Sequence, residues 1–284
     1  MINGLLVYHR EDYEKNQWFA HEIMDCGRDH HLHIELVLTD ELVLGMDEEL
    51  FVTVKNKRMK RPSFVINRSR DSLIATHFER MGSRVFNSSF VTEICNHKGR
   101  THQFVNANGI KSVKTWFVNR NYTPLEQLNH AFPLVLKAVN GHGGNEVFLL
   151  QNRDALTEKI ENFPSDEYIL QEVCGNPGTD IRVFVLGNQI LAAVKRYSET
   201  SFKSNFSLGG QVEPYSLTED EKQLVGKIIR FTRFDFVGID FLLDKDGHFL
   251  FNEIEDVVGT RTLYQCYEMD VVHNFVSYIK SCLK

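Results

Sequence analysis

The strongest fold signal in the chain is the stretch GIDFLLDKDGHFLFNEIED, which spans Gly238–Asp256. Two strand-like runs flank Asp246 and Gly247, and an Asp-Gly dipeptide favours the tight turn of a β-hairpin. With these two residues as a two-residue turn, Lys245 pairs with His248, and each earlier residue pairs with one later residue. The stretch therefore predicts an antiparallel ribbon whose register can be counted outward from the turn.

This register brings acidic residues together. Counting back from the turn places Asp240 opposite Glu253, and alternation along a strand places Glu255 on the same face as Glu253. Carboxylates this close repel one another unless a cation intervenes, and Mg²⁺ prefers oxygen ligands and often also holds substrate phosphates. A solvated acidic hairpin is the competing interpretation, but the intervening residues are apolar: Ile239, Phe241, Phe249, Phe251 and Ile254. We therefore predict a magnesium site formed by Asp240, Glu253 and Glu255.

The composition fits a soluble globular protein of two or three subdomains. Of its 284 residues, 42% are hydrophobic and 25% are charged, and a chain of this length buries a large core. A net charge of −6 argues against a general nucleic-acid binder. The basic run Lys55–Arg61 is either a solvated loop or a patch that attracts an acidic substrate. Apolar runs are too short for a membrane span or a signal peptide, so we expect a cytoplasmic protein without membrane partners.

The cysteines and histidines show no metal-binding spacing. Five cysteines are scattered without a C-x-x-C pair, and their odd number fits a reducing compartment without structural disulfides. His30, His31 and His33 lie close together in the sequence, but a zinc site there would need ligands from elsewhere, and no cysteine pair offers them. The sequence therefore argues against zinc.

The first third of the chain alternates strand and helix signals. Strands are predicted at Gly4–Tyr8, Leu32–Leu38 and Ser63–Ser69. A helix is predicted between the first two strands, at Tyr13–Cys26. In the helix, Trp18, Phe19 and Ile23 lie on the apolar side. This alternation indicates a small open α/β domain. The next segment, Thr92–Ile110, is predicted as one helix that ends at Asn108-Gly109.

The remaining two thirds are richer in strands. Strands are predicted at Pro133–Val139 and Glu167–Cys174, with a hairpin at Asp180–Tyr197. Helices are predicted at Thr218–Arg233 and Val271–Cys282, the first with a capping box of Thr218 and Glu221.

A lysine followed by a glycine-rich loop indicates phosphate binding. Lys137 ends an apolar strand and is followed by Gly141, Gly143 and Gly144. Glycine lets backbone N–H groups approach phosphate oxygens, and a lysine supplies a point charge. The pattern alone is weak because it matches neither the Walker nor the Rossmann motif. Together with the carboxylate ribbon, it favours a nucleotide bound with Mg²⁺.

Two further positions suit the rest of a nucleotide. The end of the strand YILQEVC can offer backbone groups to adenine from Gln171, Glu172, Val173 and Cys174. Asp180 lies on a loop shortly afterwards, where a carboxylate can accept ribose hydroxyls. An ion pair with Arg182 is the alternative role for Asp180.

The order of these segments resembles the ATP-grasp ligases of the RimK type, the ribosomal-protein glutamate ligase group. From about Glu93 to Asp270 the segments PLVLK, the glycine loop, YILQE, DIRVFV, AAVKR, FKSN, GG, GIDFLL and NEIE follow the pattern of that family in order. The resemblance implies an ATP-grasp fold, which mixes α/β and α+β parts. It consists of an N-terminal open α/β domain (1–91), a central lid domain (92–172) and a C-terminal antiparallel β domain with the metal site (173–284). ATP would lie between the last two.

The resemblance also implies a role for individual residues. Those that match ATP-binding positions are Lys98 and Lys137 at the phosphates, Glu172 and Val173 at the adenine, Asp180 at the ribose, and Lys203, Ser204 and Asn205 near the nucleotide. Asp240, Glu253 and Glu255 would hold magnesium. Arg196 or Arg261 would steady the reacting groups, and a surface charge at a strand end is the alternative for Arg196.

The chain departs from the family pattern at three places. Glu255 stands where the family usually has Asn, which alters the charge and geometry of the metal site. Asp256–Gly259 replaces a turn of a small residue, Pro and Gly. Ser207 and Leu208 stand where His-Arg often precedes the glycine pair. The last two changes leave the acceptor substrate open.

The function implied is an ATP- and Mg²⁺-dependent carboxylate–amine ligase that acts through an acyl phosphate on amino-acid or peptide substrates. One or two Mg²⁺ ions, replaceable by Mn²⁺, and a homo-oligomer are compatible with this expectation. A phosphotransferase would use the same ATP residues without an amine. A non-catalytic nucleotide-binding regulator would bind ATP without consuming it, and a structural or interaction protein would have no need of the lysines and carboxylates together.

Overall fold

A computed structural model describes residues 1–128, 130–144, 146–198 and 210–283. Within these ranges the fold is built around three main sheets that follow one another along the chain. No helix in these ranges is both long enough and apolar enough to cross a membrane.

The N-terminal layer is a parallel sheet with helices packed on it. Its elements are β1 (Ile2–Tyr8), α1 (Arg10–Lys15), α2 (Gln17–Asp29), β2 (Leu32–Leu38), β3 (Leu42–Met46), β4 (Leu50–Val54), β5 (Lys57–Arg58), β6 (Phe64–Asn67), α3 (Ser72–Arg80) and β7 (Arg84–Phe86). The strand order is β2-β1-β6-β7, while β3, β4 and β5 form a small separate sheet. β1 is a nearly continuous apolar run because both faces of this sheet are covered.

The predicted helix over Tyr13–Cys26 is wrong in two respects. The chain forms two helices that meet at Asn16, and Trp18 is 57% exposed instead of lying on the apolar side. Phe19 and Ile23 are buried as expected.

The next segment connects the layers. It comprises α4 (Ser89–Cys95), α5 (Lys98–Ala107), β8 (Thr115–Asn119), β9 (Leu134–Ala138), β10 (Val147–Leu150), α6 (Arg153–Glu161) and β11 (Glu167–Glu172). The strands form an antiparallel sheet in the order β10-β9-β11-β8. The predicted single helix over Thr92–Ile110 is wrong: it breaks at Asn96, and the His97 side chain caps α5 by accepting the Arg100 N–H. This break makes Lys98 the first residue of α5.

The C-terminal layer is an antiparallel sheet that is buried on both faces. It contains β12 (Thr179–Leu186), β13 (Gln189–Tyr197), β14 (Gln211–Pro214), α7 (Glu219–Ile228), β15 (Phe236–Leu243), β16 (Phe249–Glu255), α8 (Arg261–Cys266) and α9 (Val271–Cys282). The strand order is β14-β13-β12-β15-β16. The Thr218–Glu221 capping box and the bounds of α9 confirm the prediction, whereas α7 ends earlier than predicted.

Apolar side chains join the layers into two shared cores. On one face of the C-terminal sheet, Val183 and Ile239 pack with Val91 and Val105 from α4 and α5. α5, which the sequence assigns to the central domain, and α4, which spans the predicted boundary at residue 91, therefore share a core with the C-terminal sheet. The other face packs against β1, α2 and α9. The division at residues 91 and 172 remains a proposal.

The acidic ribbon forms, but its turn differs from the prediction. The Asp244 N–H donates to the His248 carbonyl at 2.9 Å, and Leu243 pairs with Phe249, so the loop is one residue longer than a two-residue turn. A β-bulge at Asn252 then shifts the register back, and Asp240 lies opposite Glu253 as predicted.

The bulge also decides which side chains reach the site. Phe249 and Phe251 face the apolar core on one side of the sheet. Strict alternation along the strand would place the Glu253 side chain in that same core. The extra residue at position 252 reverses the face of the sheet on which the following side chains lie. Ile254 therefore enters the core, while Glu253 and Glu255 reach the opposite face.

Candidate active site

A cavity of about 530 Å³ lies where the N-terminal layer, the central antiparallel sheet and the C-terminal layer meet. Most of the site residues predicted from the sequence line it: Lys98, Lys137, Gly143, Gly144, Gln171, Glu172, Val173, Cys174, Asp180, Arg196, Glu253, Glu255 and Arg261. Asp240 is fully buried and contacts Arg182 and Arg196, which line the cavity. Lys203, Ser204 and Asn205 lie outside the described residues. Distant parts of the sequence thus meet at one cavity.

Opposite charges alternate across the sheet at the base of this cavity. Strand pairing places Arg196 on β13 opposite Asp180 on β12, and Arg182 on β12 opposite Asp240 on β15. Arg182 donates to both Asp240 oxygens, at 2.7 and 2.6 Å. Arg196 donates to both Asp180 oxygens and, at 2.6 Å, to Asp240. Buried ions require such partners, so each charge in this network holds its neighbours in place.

Two sequence-based alternatives are corrected by this network. Asp180 is paired with Arg196, not with the neighbouring Arg182. Arg196 is only 4% exposed, so it is not a surface charge at a strand end.

The three predicted metal ligands converge at the end of this network. Ligand oxygens of Asp240, Glu253 and Glu255 all lie within 4.8 Å of one another. Mg²⁺ binds oxygens at about 2.1 Å in an octahedron, so its ligands stand about 3.0 Å apart when adjacent and about 4.2 Å apart when opposite. The oxygen-only donor set therefore fits Mg²⁺, and the upper limit of 4.8 Å on its spacing lies near the distance between opposite ligands. Glu255 also pairs with Arg182 at 2.7 Å.

The surroundings shift the pKa values of the three carboxyl groups in different directions. Burial alone would raise the pKa of Asp240, but Arg182 and Arg196 outweigh it and lower this pKa to about 2. Burial also acts against ionisation of Glu253, but Lys98 is among the cations that bring its pKa below the ordinary value. Burial raises the pKa of Glu255 by more than the positive charge of Arg182 lowers it, so this pKa lies above its ordinary value. A cation bound among them would favour the charged form of all three.

Two lysines face these carboxylates. Lys98 Nζ donates to the Gly141 carbonyl at 2.6 Å and lies 3.3 Å from a Glu253 oxygen. Lys137 Nζ donates to Asn252 Oδ1 at 2.8 Å, and burial lowers its pKa to about 8 against the opposing charge of Glu253. The glycine loop, both lysines and the acidic ribbon are therefore joined by direct contacts.

The glycine loop follows β9 and forms one wall of the cavity. Gly143 and Gly144 have φ angles of +65° and +79°, a left-handed conformation that favours glycine. Among the described residues, no atom lies within 4 Å of where a Cβ at Gly143 would stand, so this part of the loop has open space beside it. The backbone there is accessible to a ligand.

The strand that leads into the predicted adenine contacts lies inside its sheet. β11 is an interior strand between β9 and β8. The Glu172 N–H already donates to the Lys114 carbonyl at 3.2 Å, and the Glu172 side chain pairs with Lys114. Val173 and Cys174, which follow the strand, line the cavity. Backbone contacts to a base are therefore expected from these two residues instead of from Glu172.

Sequence reasoning missed three contributions to the site. The sequence predicts Arg182 only as a partner of Asp180. The two charged residues Asp180 and Arg182 alternate in an otherwise apolar strand, and this pattern is a signal for a site role of Arg182. Asn252, which binds Lys137, depends on a bulge that the sequence does not reveal. Tyr8 and Arg68 from the N-terminal layer also line the cavity. They come from a part of the chain far from the phosphate-binding pattern.

Known proteins resemble this chain in sequence and structure. The family described as the RimK-like ATP-grasp domain matches residues 95–279. N-acetylaspartylglutamate synthase A of Homo sapiens is 28% identical over 291 residues, which cover 96% of this chain and 74% of that protein. An uncharacterized protein of Mycoplasma genitalium is 26% identical and covers 99% of this chain and 95% of its own length. The crystal structure of D-alanyl-alanine synthetase A from Vibrio cholerae has a TM-score of 0.75 at 15% identity, covering 99% of this chain and 98% of that one.

Proposed function

Because this chain belongs to the RimK-like ATP-grasp family and has the ATP-grasp fold, we propose that it is an ATP- and Mg²⁺-dependent carboxylate–amine ligase. The reaction forms an amide or peptide bond through an acyl phosphate. The observation that carries this proposal is the meeting of two lysines, a glycine loop, Glu253 and Glu255 at one cavity, with Asp240 buried beside the two glutamates. These are the groups that a nucleotide with its cation requires.

The proposed chemistry has two steps. The substrate carboxylate attacks the γ-phosphorus of ATP, and ADP leaves, which gives an acyl phosphate. The amine then attacks the acyl carbon, phosphate leaves, and the surplus amine proton passes to solvent or a nearby base. Catalysis of this kind depends mainly on positioning and on charge stabilisation.

Each part of the cavity has a proposed task. Lys98 and Lys137 bind the ATP phosphates, and the loop with Gly143 and Gly144 closes over them to exclude water. Asp240, Glu253 and Glu255 would hold Mg²⁺, which would neutralise charge on the phosphates. Asp180 accepts the ribose hydroxyls, and Val173 and Cys174 offer their backbone to adenine.

The arginines have separate proposed tasks. Arg196 orients Asp180 and Asp240 by the bonds described above. Arg261 opens α8 at the wall of the cavity, where it would steady the acyl phosphate or a substrate carboxylate.

The relatives support a proposal for the substrate class. The human relative is named as a synthase of N-acetylaspartylglutamate, a compound whose name describes an amino acid joined to an acylated amino acid. We propose that this chain likewise adds an amino acid to a peptide, a protein or a small metabolite.

A phosphate-release screen tests the proposed function. The protein is incubated with ATP, Mg²⁺ and pairs of amino acids and peptides, and the products are identified by mass spectrometry. We expect ADP and phosphate to be released rapidly only when a carboxylate and an amine are both present, together with a product that has lost water. Steady ADP release with a single co-substrate would instead indicate a phosphotransferase.

Removing Lys137 should weaken ATP binding. Its ammonium group is buried beside Asn252 at the cavity and should form a charge-assisted bond with a phosphate. Lys137→Ala should therefore lose about 1.5–3 kcal/mol of ATP binding energy, measured by calorimetry. Lys111→Ala is the control, because that lysine is 76% exposed and does not line the cavity. Equal ATP affinities of both variants and the unchanged protein would contradict the assignment.

Replacing Glu255 by the family's Asn should raise the Mg²⁺ requirement. Glu255 adds a negative charge beside Asp240 and Glu253, and this charge should favour a bound cation and help to recruit a second Mg²⁺ ion. Glu255→Asn should thus need more Mg²⁺ for half-maximal ATP binding, while Mn²⁺ should substitute in both proteins. Calorimetric titration of ATP at a series of Mg²⁺ concentrations measures this shift. An unchanged Mg²⁺ dependence would mean that Glu255 is not a ligand.

A further inference from the structure

A second group of metal-binding side chains lies away from the cavity, between α2 and α9. Cys26 and His30 are one helical turn apart at the end of α2, and His273 lies in the first turn of α9. Their ligand atoms all lie within 4.8 Å of one another, and the rings of His30 and His273 are 4.9 Å apart. None of the three lines the cavity described above. The group is therefore independent of the proposed ligase site.

The distance between the Cys26 and His30 ligand atoms matches a tetrahedral metal. The sulfur of Cys26 lies 3.7 Å from Nδ1 of His30. A Zn²⁺ ion with bonds of about 2.3 Å to sulfur and about 2.05 Å to nitrogen holds these atoms about 3.6 Å apart at a tetrahedral angle. We propose that Cys26, His30 and His273 bind a divalent transition-metal ion of the Zn²⁺ class, which ties α2 to α9.

Ser277 supplies an outer contact of the kind that metal-binding histidines use. Nε2 of His30 lies 2.9 Å from Ser277 Oγ, one turn beyond His273 on α9. Nδ1 also lies 3.0 Å from the Cys26 carbonyl, so the ring has two competing tautomers. When Nε2 donates to Ser277, Nδ1 has a free lone pair at 3.7 Å from the Cys26 sulfur. A bound metal selects this tautomer, and Ser277 then fixes the ring orientation.

The electrostatic surroundings favour a cation at this position. Burial raises the pKa of the Cys26 thiol, and the negative charges of Asp270, Asp29 and Glu22 raise it further. These charges attract a divalent ion, which displaces the thiol proton to solvent when the thiolate bond forms. Within the described residues no fourth Cys, His, Asp or Glu belongs to the group. Water would therefore complete the tetrahedron.

The fold supplies the ligands that the sequence does not reveal. The sequence alone argues against zinc at His30 because no cysteine pair accompanies it. A single cysteine on the same helix and a histidine 243 positions later provide the missing donors once α2 packs against α9. A metal here would connect the N-terminal layer to the C-terminal helix.

Cobalt binding tests this proposal with the full chain. Metal-free protein is titrated with Co²⁺, whose bond to a thiolate gives a charge-transfer absorption band that imidazole ligands alone do not give. We expect the band to saturate at one ion per chain and to bleach when Zn²⁺ is added. Cys26→Ser should abolish it, and His273→Ala should weaken binding by on the order of 100-fold. Ser277→Ala should weaken it by about 10-fold, the effect of losing an outer contact.

Two controls separate the site from other thiols and from misfolding. Cys282→Ser changes a cysteine at the far end of α9 and should leave the titration unchanged. Because His273 is exposed, its alanine variant should keep the melting temperature of the metal-free protein. Zn²⁺ should then raise the melting temperature of the unchanged protein, and not that of the variant. Absence of the band, or a band that survives Cys26→Ser, would overturn the proposal.

Discussion

Glu253→Gln is expected to lower the rate of ligation by on the order of 100-fold or more, the usual loss when a major electrostatic stabiliser is removed. Glu253 lies on the cavity face of β16, is 3.3 Å from Lys98 and belongs to the three-carboxylate group. Glutamine keeps the size of the side chain but removes the charge that binds a cation and balances the two lysines. Initial rates with the substrate pair identified in the screen measure the effect.

A matched substitution on the same sheet separates catalysis from a general effect on the fold. Glu213 lies on β14 and forms a half-exposed pair with Lys195, outside the cavity. Glu213→Gln should keep the full rate. If Glu253→Gln also retains the rate of the unchanged protein, Glu253 is not part of the catalytic machinery.

Asp240→Asn is expected to lower the free energy of unfolding by about 3–5 kcal/mol, the cost of removing one partner from a buried ion pair. Asp240 is fully buried and accepts bonds from both Arg182 and Arg196. Asparagine has nearly the same shape, but it leaves two buried guanidinium groups with too little negative charge. Urea denaturation without nucleotide or Mg²⁺ measures the loss, so that the result does not depend on the metal.

Glu213→Gln again serves as the control, because it removes one partner of a half-exposed pair in the same sheet. Such pairs contribute at most about 1 kcal/mol. If Asp240→Asn were no more destabilising than this control, the network of Arg182 and Arg196 would not be a structural anchor. Asp240 would then matter only as a metal ligand.

The sequence predicted the acidic face correctly although it predicted the ribbon's turn wrongly. The loop takes up one extra residue, Lys245, from the β15 side, and the bulge at Asn252 takes up one residue of β16 on the other side. Together these restore the pairing of Asp240 with Glu253. Local propensity indicates that a hairpin exists, but it does not indicate where a bulge will place an extra residue.

Pairing between distant strands could not be predicted in the same way. The central role of Arg182 depends on β12 lying beside β15 in one register, which only tertiary packing sets. The position of Lys98 depends on the helix break at Asn96, where the His97 cap competes with continuation of the helix. The sharing of a core between α4, α5 and the C-terminal sheet also arises from tertiary contacts.

The transfer of oxygen from carboxylate to phosphate tests the acyl-phosphate reaction most directly. The carboxylate substrate from the screen is labelled with ¹⁸O, and the released phosphate is analysed by mass spectrometry. An acyl phosphate keeps one carboxylate oxygen bound to phosphorus when the amine attacks carbon, so one ¹⁸O should appear in the phosphate, with ADP as the other product. Unlabelled phosphate, or AMP and pyrophosphate in place of ADP and phosphate, would contradict the proposed reaction.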